Sequence, residues 1–268
     1  MATRRRLDVE LVRRGLVPSR QAAGEAVTAG KVLVGGSLAT KPSALVAPAD
    51  PVTLVAPARP FASRGGEKLD PVLAALGLDV AGRRCLDAGA STGGFTDVLL
   101  RRGAAQVVAV DVGRGLLDWK LRSDPRVRVL DRTNVRTLRP EDLGGPVSLV
   151  VADLSFISLV TALPALAASA LPGADLLPLV KPQFEVGREA AGRGVVRDPA
   201  LWARALGRVA AAAARLGLGV AAVRPSPRPG PAGNVEFFLH LRADAPPLAA
   251  GAVDAALAEG ARLAGSAP

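Results

Sequence analysis

Leu86-Asp87-Ala88-Gly89-Ala90-Ser91-Thr92-Gly93-Gly94-Phe95-Thr96 is the stretch that decides the fold of this 268-residue chain. An apolar approach ends in the carboxylate of Asp87, passes through a glycine-rich turn and enters a segment with helical apolar spacing. The pattern predicts a strand, a tight loop and a helix. Glycine lets backbone approach a ligand, and the helix that follows presents unpaired N–H groups to it. A glycine turn in an α/β protein without such a ligand would look the same.

The spacing of this loop is not that of a dinucleotide fingerprint, because Ser91 stands where the second glycine would be. The order D-x-G-x-x-x-G-G resembles motif I of S-adenosylmethionine-dependent methyltransferases instead. The resemblance implies that Asp87 faces the methionine end of the cofactor. It also implies that the loop residues after it bind the cofactor: Gly89, Ala90, Ser91, Gly93, Gly94 and Phe95.

The composition favours an anionic partner. The 34 basic and 24 acidic residues give a net charge of +10 and a pI near 11, which suits nucleic acid or a membrane surface. Most of the basic residues are Arg in a chain rich in Ala, Gly and Pro, so part of this bias is explained equally well by composition alone. A single Cys and a single His exclude a disulfide framework and a Cys/His zinc cluster, and we expect no metal.

One uncharged segment, Leu154–Ala174, is long enough to cross a bilayer. Pro164, Pro172 and Gly173 interrupt it, however, and a buried helix that leads into a buried strand explains it better. The amino terminus shows no signal-peptide pattern, since the charged run Leu7–Arg14 follows its arginines. We therefore expect a cytoplasmic protein without stable membrane association.

Residues 1–58 are predicted to form a small α+β domain of their own. Helical spacing from Arg6 ends at Gly15, Ser19 begins a second helix that ends at Gly30, and short strand-like runs follow around a Gly35-Gly36 hairpin signal. The pattern R-L-D…G…S-R…A…G-K-V-x-V-G-G resembles the S4 RNA-binding domain. The resemblance implies phosphate contacts, which position RNA without reading its sequence, from Arg4, Arg5, Arg6, Arg13, Arg14, Arg20 and Lys31. A small adaptor domain with a solvated basic face is the alternative.

Residues 59–63 have the composition of a linker, and residues 64–268 alternate short apolar runs with amphipathic segments. Strands are expected at 83–87, 106–111, 127–130, 147–152, 174–180, 219–224 and 235–242. Helices are expected at 64–76, 93–102, 115–122, 157–170, 199–215 and 251–264. This alternation predicts an α/β domain with a mostly parallel sheet covered on both faces. The order of elements resembles the Rossmann-like, seven-stranded methyltransferase fold.

Polar residues at strand ends are the candidates for ligand contacts in such a sheet. Asp111 ends the second strand, and its carboxylate suits the two ribose hydroxyls of an adenosyl group. Asn134 follows the third strand and is placed to meet the adenine edge. Solvent exposure alone would also produce polar residues at these positions.

Two of the five lysines stand at glycine- or proline-marked corners, Lys68 and Lys181. Proton transfer favours Lys over Arg, because burial and a neighbouring cation can depress an ammonium toward neutrality. Asp153 ends the fourth strand and Glu236 lies in the last. We expect these four residues to converge above the sheet, with Asp153 and Glu236 holding Lys181 and with Asp153 also facing the cofactor. Salt-bridged framework charges are the alternative for each.

In order, Lys68, Asp153, Lys181 and Glu236 match the K-D-K-E tetrad of the FtsJ-like ribose 2′-O-methyltransferases. With the S4-like unit, R-x-G-G-E-K-L and V-K-P-Q-F-E, the chain resembles the TlyA family, whose members are often labelled hemolysins. The resemblance implies S-adenosylmethionine as cofactor and catalysis by that tetrad. It implies 2′-O-methylation of cytidines in 16S and/or 23S ribosomal RNA, within 30S and/or 50S subunits. Arg64, at the start of the second domain, is a further candidate RNA contact.

Two other functions remain open from the sequence. A membrane-active cytolysin would require the segment Leu154–Ala174 to insert, and it leaves the tetrad unexplained. A non-catalytic RNA-binding factor would keep the basic amino-terminal unit but would need no carboxylates and lysines at successive strand ends.

Overall fold

The computed structural model describes residues 4–55, 60–192, 194–246 and 248–265. The chain forms two compact units, with the boundary between Arg59 and Pro60. Of the expected linker 59–63, Arg59 lies outside the described residues, and residues 60–63 belong to the second unit. Each unit has its own hydrophobic core.

Within residues 4–55, the first unit packs two helices against short strands. Its elements are β1 (Arg5–Arg6), α1 (Leu7–Arg13), α2 (Arg20–Thr28), β2 (Val32–Val34), β3 (Ser37–Leu38), β4 (Leu45–Val46) and β5 (Val52–Leu54). The Ser19 hydroxyl accepts the Ala22 N–H at 3.1 Å and so caps α2. Gly15 and Gly30 follow the two helices with φ of +67° and +65°, which confirms both predicted helix ends.

The hairpin predicted at Gly35-Gly36 joins β2 to β3, and both glycines have the positive φ that a tight hairpin turn requires. β5 pairs with the other edge of β2. The pairing of β1 with β4 was not predicted, because strands of two residues carry no alternation of apolar and polar side chains. The helices and strands share one core, formed by Leu7, Leu11, Ala23, Val27, Val32, Val46 and Val52.

The second unit alternates helices and strands from residue 64 onward. Its elements are α3 (Arg64–Ala75), β6 (Arg84–Ala88), α4 (Gly94–Arg101), β7 (Gln106–Val110), α5 (Trp119–Arg122), β8 (Val127–Leu130), α6 (Pro140–Leu143), β9 (Val147–Ala152), α7 (Leu159–Ala168), β10 (Ala170–Val180), α8 (Pro182–Glu185), α9 (Arg188–Ala191), α10 (Pro199–Ala214), β11 (Gly219–Pro225), β12 (Phe237–Arg242) and α11 (Ala252–Gly265).

The strands of this unit form one seven-stranded sheet in the order β11-β12-β10-β9-β6-β7-β8. Strands β6 to β10 are parallel, and β12 runs antiparallel to both of its neighbours. The chain proceeds from β6 outward through β7 and β8, and then returns to the other side of β6 with β9 and β10. The carboxyl ends of β6 and β9 therefore flank the point where the strand order reverses, which is where such sheets bind ligands.

The sheet is buried on both faces, as the apolar runs predict. Alternate residues of β6 enter different cores: Leu86 belongs to the core with Leu163 and Phe237, and Cys85 to the core with Leu99. The predicted seven-stranded α/β fold is confirmed.

Several local predictions differ from the structure. Only Trp119–Arg122 is helical in the segment predicted as a helix at 115–122, because Gly115 has a φ of +66° and donates its N–H to Asp131. Strand β10 begins at Ala170 rather than 174, with a register shift before Asp175. The four-residue helices α6, α8 and α9 were not predicted, since a single turn shows no helical period.

Helices α3 and α4 approach each other closely enough to require glycine. A Cβ on Gly94 would lie 2.8 Å from the Gly66 nitrogen and 3.0 Å from the Gly65 Cα. Ser63 caps α3 by accepting the Gly65 N–H at 3.2 Å, and the Ala62 N–H donates to Asp97 of α4 at 2.8 Å. This packing fixes α3, and with it Lys68, above the sheet.

We expect Gly94→Ala to destabilise the protein by about 1–3 kcal/mol, because the new methyl meets backbone that has no rotamer with which to move aside. Gly207→Ala is the matched control, since Gly207 lies in α10 with open space around its Cα. That change is expected to stabilise the protein by up to about 1 kcal/mol. Denaturant unfolding of both variants is the measurement, and equal stability would contradict the close packing of α3 on α4.

Candidate active site

Four polar side chains lie at one edge of the sheet; three were expected at strand ends, and Glu236, expected within the last strand, lies just before it. Asp111 follows β7, Asp153 follows β9 and Lys181 follows β10. Glu236 immediately precedes β12, and because this strand is antiparallel its beginning lies at the same edge. Residues far apart in the sequence are thereby brought to one place by the strand order.

Asp87 is the next-to-last residue of β6 and is fully buried. Its Oδ2 accepts a hydrogen bond of 2.6 Å from the Thr96 hydroxyl of α4. Burial raises the pKa of Asp87 to about 7, although the bond from Thr96 opposes the rise. The carboxyl group therefore ties β6 to α4 beneath the glycine-rich loop.

Gly89 is a position in this loop at which the backbone leaves no room for a side chain. Its φ is +85°, and a Cβ would lie 2.5 Å from the backbone oxygen of Asp153. The Asp153 N–H in turn donates to the Ala88 oxygen at 3.0 Å. The loop after β6 and the loop after β9 are thus in direct backbone contact.

A cavity of about 460 Å³ opens beside these two loops. Its walls are formed by Gly89, Ser91, Val110, Asp111, Val112, Leu116, Thr133, Asn134, Val135, Arg136, Asp153, Leu154, Ser155, Phe156 and Ile157. The volume is that of a small-molecule site, and an apolar lining with a few polar groups is typical of one.

Asp111 is held rigidly at this cavity. Its Oδ2 accepts the Ser91 N–H at 2.8 Å and its Oδ1 accepts the Gly113 N–H at 2.7 Å. Each oxygen keeps a further acceptor site, so the carboxylate suits a pair of vicinal hydroxyls. Asn134 accepts the Arg136 N–H at 3.1 Å through its Oδ1, a bond that does not use its NH₂ group. These donors and acceptors fit the adenosyl part of S-adenosylmethionine.

The structure separates the predicted cofactor residues into two groups. Those that line the cavity are Gly89, Ser91, Asp111, Asn134 and Asp153. The others are buried and do not line the cavity: Asp87, Ala90, Gly93, Gly94 and Phe95. In the second group, Gly93 begins α4 with φ of +95°, and the ring of Phe95 lies 6.0 Å from that of Phe238.

The four residues of the predicted tetrad form one connected chain of charges. Lys68 Nζ lies 2.7 Å from Glu236 Oε2 and 3.4 Å from Asp153 Oδ2. Lys181 Nζ lies 2.6 Å from Asp153 Oδ1 and donates to the Ser155 hydroxyl at 2.8 Å. Asp153 therefore bridges the two ammonium groups. The expectation that Glu236 holds Lys181 differs from the structure, in which Glu236 pairs with Lys68.

Three side chains of the tetrad are buried, that of Asp153 is 19% exposed, and the four charges balance. The side chains of Lys68 and Lys181 are 9% and 8% exposed, and that of Glu236 is 1% exposed. Burial alone would lower the pKa of Lys68, but the charges of Asp153 and Glu236 outweigh it and raise that pKa. Burial raises the pKa of Glu236, opposed by Lys68. Lys68 is thus held as an ammonium between two carboxylates.

A second cavity, of about 300 Å³, lies on the other side of the tetrad. Lys181 and Glu236 line this cavity, Asp153 lines the first, and Ser155 and Phe156 line both. The Phe156 ring is 92% exposed, with a backbone φ of +64° that is unusual for a bulky residue. The tetrad therefore stands between two spaces, as transfer of a group between two bound molecules requires.

The sequence did not single out several side chains that form these cavities. Ser155 and Phe156 follow Asp153, and Val112 follows Asp111, so proximity to a strand end was the one available signal. Leu116 also lines the first cavity. The Ser155 contact with Lys181 spans 26 residues and has no local pattern.

In the first unit, two buried carboxylates organise the predicted RNA-binding arginines. Asp8 pairs with Arg6 at 3.0 Å and with Arg20 at 2.9 Å. The hydrogen bond from Arg6 holds the pKa of Asp8 well below its usual range. Both guanidinium groups are about half exposed or more, so they retain donors for phosphate.

Glu10 has the same role for Arg13 and Arg14, at 2.6 and 2.8 Å, with Arg5 at 4.0 Å. The hydrogen bond from Arg13 lowers the pKa of Glu10 to about 2.

The remaining predicted RNA contacts differ in their surroundings. Arg14 is mostly covered and donates to the Asp50 oxygen at 2.8 Å and the Pro48 oxygen at 3.0 Å, so its guanidinium stabilises the unit itself. Arg4, Lys31 and, in the second unit, Arg64 are exposed.

The uncharged stretch Leu154–Ala174 contributes α7 and the first part of β10. Leu159, Leu163 and Leu166 of α7 are buried in the core of the second unit, which confirms the predicted helix followed by a strand. In the part of the chain that the structure describes, no helix combines the length and apolar character needed to cross a membrane.

Two family models match the chain. The FtsJ-like methyltransferase model matches residues 61–243, and the S4 domain model matches residues 5–52. The first covers the whole sheet and every residue of the tetrad. The second covers both helices and strands β1 to β4 of the first unit, and it ends at the first residue of β5.

Similar proteins cover nearly the whole chain. The "16S/23S rRNA (cytidine-2'-O)-methyltransferase TlyA" of Mycobacterium tuberculosis is 59% identical over 90% of this chain and 91% of its own length. "Hemolysin A" of Brachyspira hyodysenteriae is 34% identical over 88% of this chain and 99% of its own. A solved structure of a Streptococcus thermophilus protein with a hemolysin name has a TM-score of 0.74 at 39% identity and covers 98% of each chain.

We expect Lys68→Met to destabilise the protein by about 3–5 kcal/mol, because it leaves the buried Glu236 carboxylate without its ion-pair partner. Adding Glu236→Gln to the same protein should recover more than half of this loss. Arg122→Met is the control: its ion pair with Asp131 is partly exposed and is expected to contribute less than about 1 kcal/mol. If denaturant unfolding shows that Lys68→Met and Arg122→Met lower the free energy of unfolding by similar amounts, the charges of the tetrad do not depend on one another.

Proposed function

Because this chain belongs to the FtsJ-like methyltransferase family and carries an S4 domain, we propose that it methylates the ribose 2′-hydroxyl of cytidines in ribosomal RNA, 16S or 23S or both. The observation that carries the proposal is the buried tetrad between two cavities. The relative that is 59% identical, an rRNA (cytidine-2′-O)-methyltransferase by name, supports the substrate.

S-adenosylmethionine is the cofactor that this family implies, and it supplies a methyl group already activated on a sulfonium. We assign its binding to the first cavity. Asp111 would hold the ribose hydroxyls, Asn134 the adenine edge, and the loop at Gly89 and Ser91 the remainder. Gly89 supports this assignment, because any side chain at this position would fill the space between the loop after β6 and the loop after β9.

The chemical difficulty is the acceptor, since a ribose hydroxyl stays protonated near neutral pH. Lys68 is held as an ammonium by two carboxylates, so it is the poorer proton acceptor. Lys181 pairs with one carboxylate and a hydroxyl, and it lines the second cavity. We therefore assign to Lys181 Nζ the contact with the 2′-oxygen, either as a free amine that accepts its proton or as an ammonium that orients its lone pair.

Positioning contributes to the rate alongside the base. In the second cavity, the exposed face of Phe156 offers a surface on which an unstacked base can lie. Three of the arginines that Asp8 and Glu10 organise, Arg6, Arg13 and Arg20, would hold phosphates of a structured RNA. Ribosomal RNA within 30S or 50S subunits is thus the proposed partner, which places the reaction in the cytoplasm.

The two other functions account for less of the structure. A cytolysin that inserts Leu154–Ala174 would have to remove α7 from the core of the second unit. A binding factor without catalysis would have no need to bury two lysines with two carboxylates, an arrangement that costs desolvation.

Transfer of labelled methyl from S-adenosylmethionine to 30S and 50S subunits that lack the modification tests the proposal. The wild type is expected to label at least one particle. Lys181→Ala should lower the rate at least about 100-fold, with S-adenosylmethionine affinity unchanged within about twofold. Lys120→Ala, which removes an exposed lysine, serves as the matched control and should label at the wild-type rate.

Undiminished transfer by Lys181→Ala would contradict the assigned role of Lys181. If the wild type labels neither particle but binds the cofactor, ribosomal RNA is the wrong acceptor. Failure to bind S-adenosylmethionine would overturn the cofactor assignment as well.

A further inference from the structure

Glu185 is a buried carboxylate that the proposed reaction does not yet use. It is the last residue of α8, the short helix that begins directly after Lys181, and it is 1% exposed. Its Oε2 accepts the Ser158 hydroxyl at 2.6 Å, and its Oε1 accepts the Leu159 N–H at 2.7 Å. Both oxygens are therefore committed to the segment that follows Asp153.

These contacts join two segments at both ends: Asp153–Leu159, and Lys181–Glu185, which contains α8. At one end Lys181 meets Asp153 and Ser155, at 2.6 and 2.8 Å. At the other end Glu185 meets Ser158 and the first residue of α7. Four residues lie between Asp153 and Ser158 and three between Lys181 and Glu185, and Pro182 limits the backbone freedom of the segment after Lys181.

Capping of α7 accounts for one oxygen of this carboxylate, Oε1, and leaves Oε2 unexplained. Ser158 already caps this helix, since its hydroxyl accepts the Val160 N–H at 3.2 Å. Arg208 donates to the backbone oxygen of Glu185 at 2.6 Å, while the carboxylate accepts from a hydroxyl and an amide. Burial raises the pKa of Glu185 above its ordinary value, which shows that the fold bears a desolvation cost at this position.

We infer that Glu185 is a positioning residue for methyl transfer: by fixing the loop from Asp153 to Ser158, it keeps Asp153 and Ser155 against Lys181 Nζ. The inference rests on the proposed function. The Glu185 carboxylate bonds to Ser158 and Leu159 and not to a tetrad side chain, so its effect passes through Ser158 and the loop backbone. Loss of this contact would leave both cavities in place but allow the Lys181 ammonium and its partners to separate.

The test compares kcat, the KM for the RNA substrate and S-adenosylmethionine affinity in four variants. Glu185→Ala should lower kcat about 10- to 100-fold, with KM and cofactor affinity within about twofold of wild type. Glu185→Gln should stay within about threefold in kcat, because its amide can accept the Leu159 N–H and donate to Ser158. Ser158→Ala should lower kcat in the same direction and by less.

Asp198→Ala is the matched control. Asp198 also caps a helix, accepting the Ala200 N–H at 2.8 Å at the start of α10, but it has no contact with the loop after Asp153. The melting temperature of this variant should fall by about as much as that of Glu185→Ala, and its kcat should equal that of the wild type.

Three results would overturn the inference. These are a wild-type kcat for Glu185→Ala, an equal loss of kcat in Asp198→Ala, or a loss confined to KM. If Glu185→Ala does not fold, Ser158→Ala decides: a lower kcat supports the inference and an unchanged one contradicts it. An inactive wild type would instead overturn the proposed function.

Discussion

The carboxylate of Asp153, shared between the ammonium groups of Lys68 and Lys181, is the interaction on which the site depends. The backbone oxygen of the same residue lies so close to Gly89 that a Cβ there would collide with it. The glycine-rich loop that lines the first cavity therefore contacts the tetrad at Asp153. This arrangement exists because β9 returns to lie beside β6, which places the end of one strand next to the glycine-rich turn of the other. The strand order thus creates both the space for a ligand and the charges beside it.

Burial of four charges is tolerable here because they balance. Two ammonium groups and two carboxylates alternate along the chain from Glu236 to Lys181, and each desolvated charge faces one of opposite sign. A hydrophobic cluster of the same volume would often be as stable, so the charges are better explained by chemistry than by folding. The hydroxyls of Ser155 and Ser158 extend the network, since one accepts from Lys181 and the other donates to Glu185, and neither adds a charge.

Much of the fold and of the candidate site could be predicted from the sequence. The features that could not be predicted have physical reasons. The glycine-rich turn, the two helices of the first unit and the tetrad each have a local signal: a turn, a period or an unusual residue at a strand end. Contacts such as Ser155 with Lys181, or Glu185 with Ser158, join residues 26 and 27 positions apart, and they depend on loop paths that no period encodes. Which carboxylate pairs with which lysine likewise follows from the placement of α3, not from the order of residues.

The central claim is that the tetrad acts on a ribose hydroxyl, and the identity of the methylated nucleoside tests it most directly. Ribosomal RNA methylated by the purified protein would be digested to nucleosides and separated by mass spectrometry. The account predicts 2′-O-methylcytidine, with the added methyl group on the sugar fragment. A methyl group on the cytosine ring or its exocyclic nitrogen would contradict it, because a base atom needs no lysine beside a 2′-oxygen.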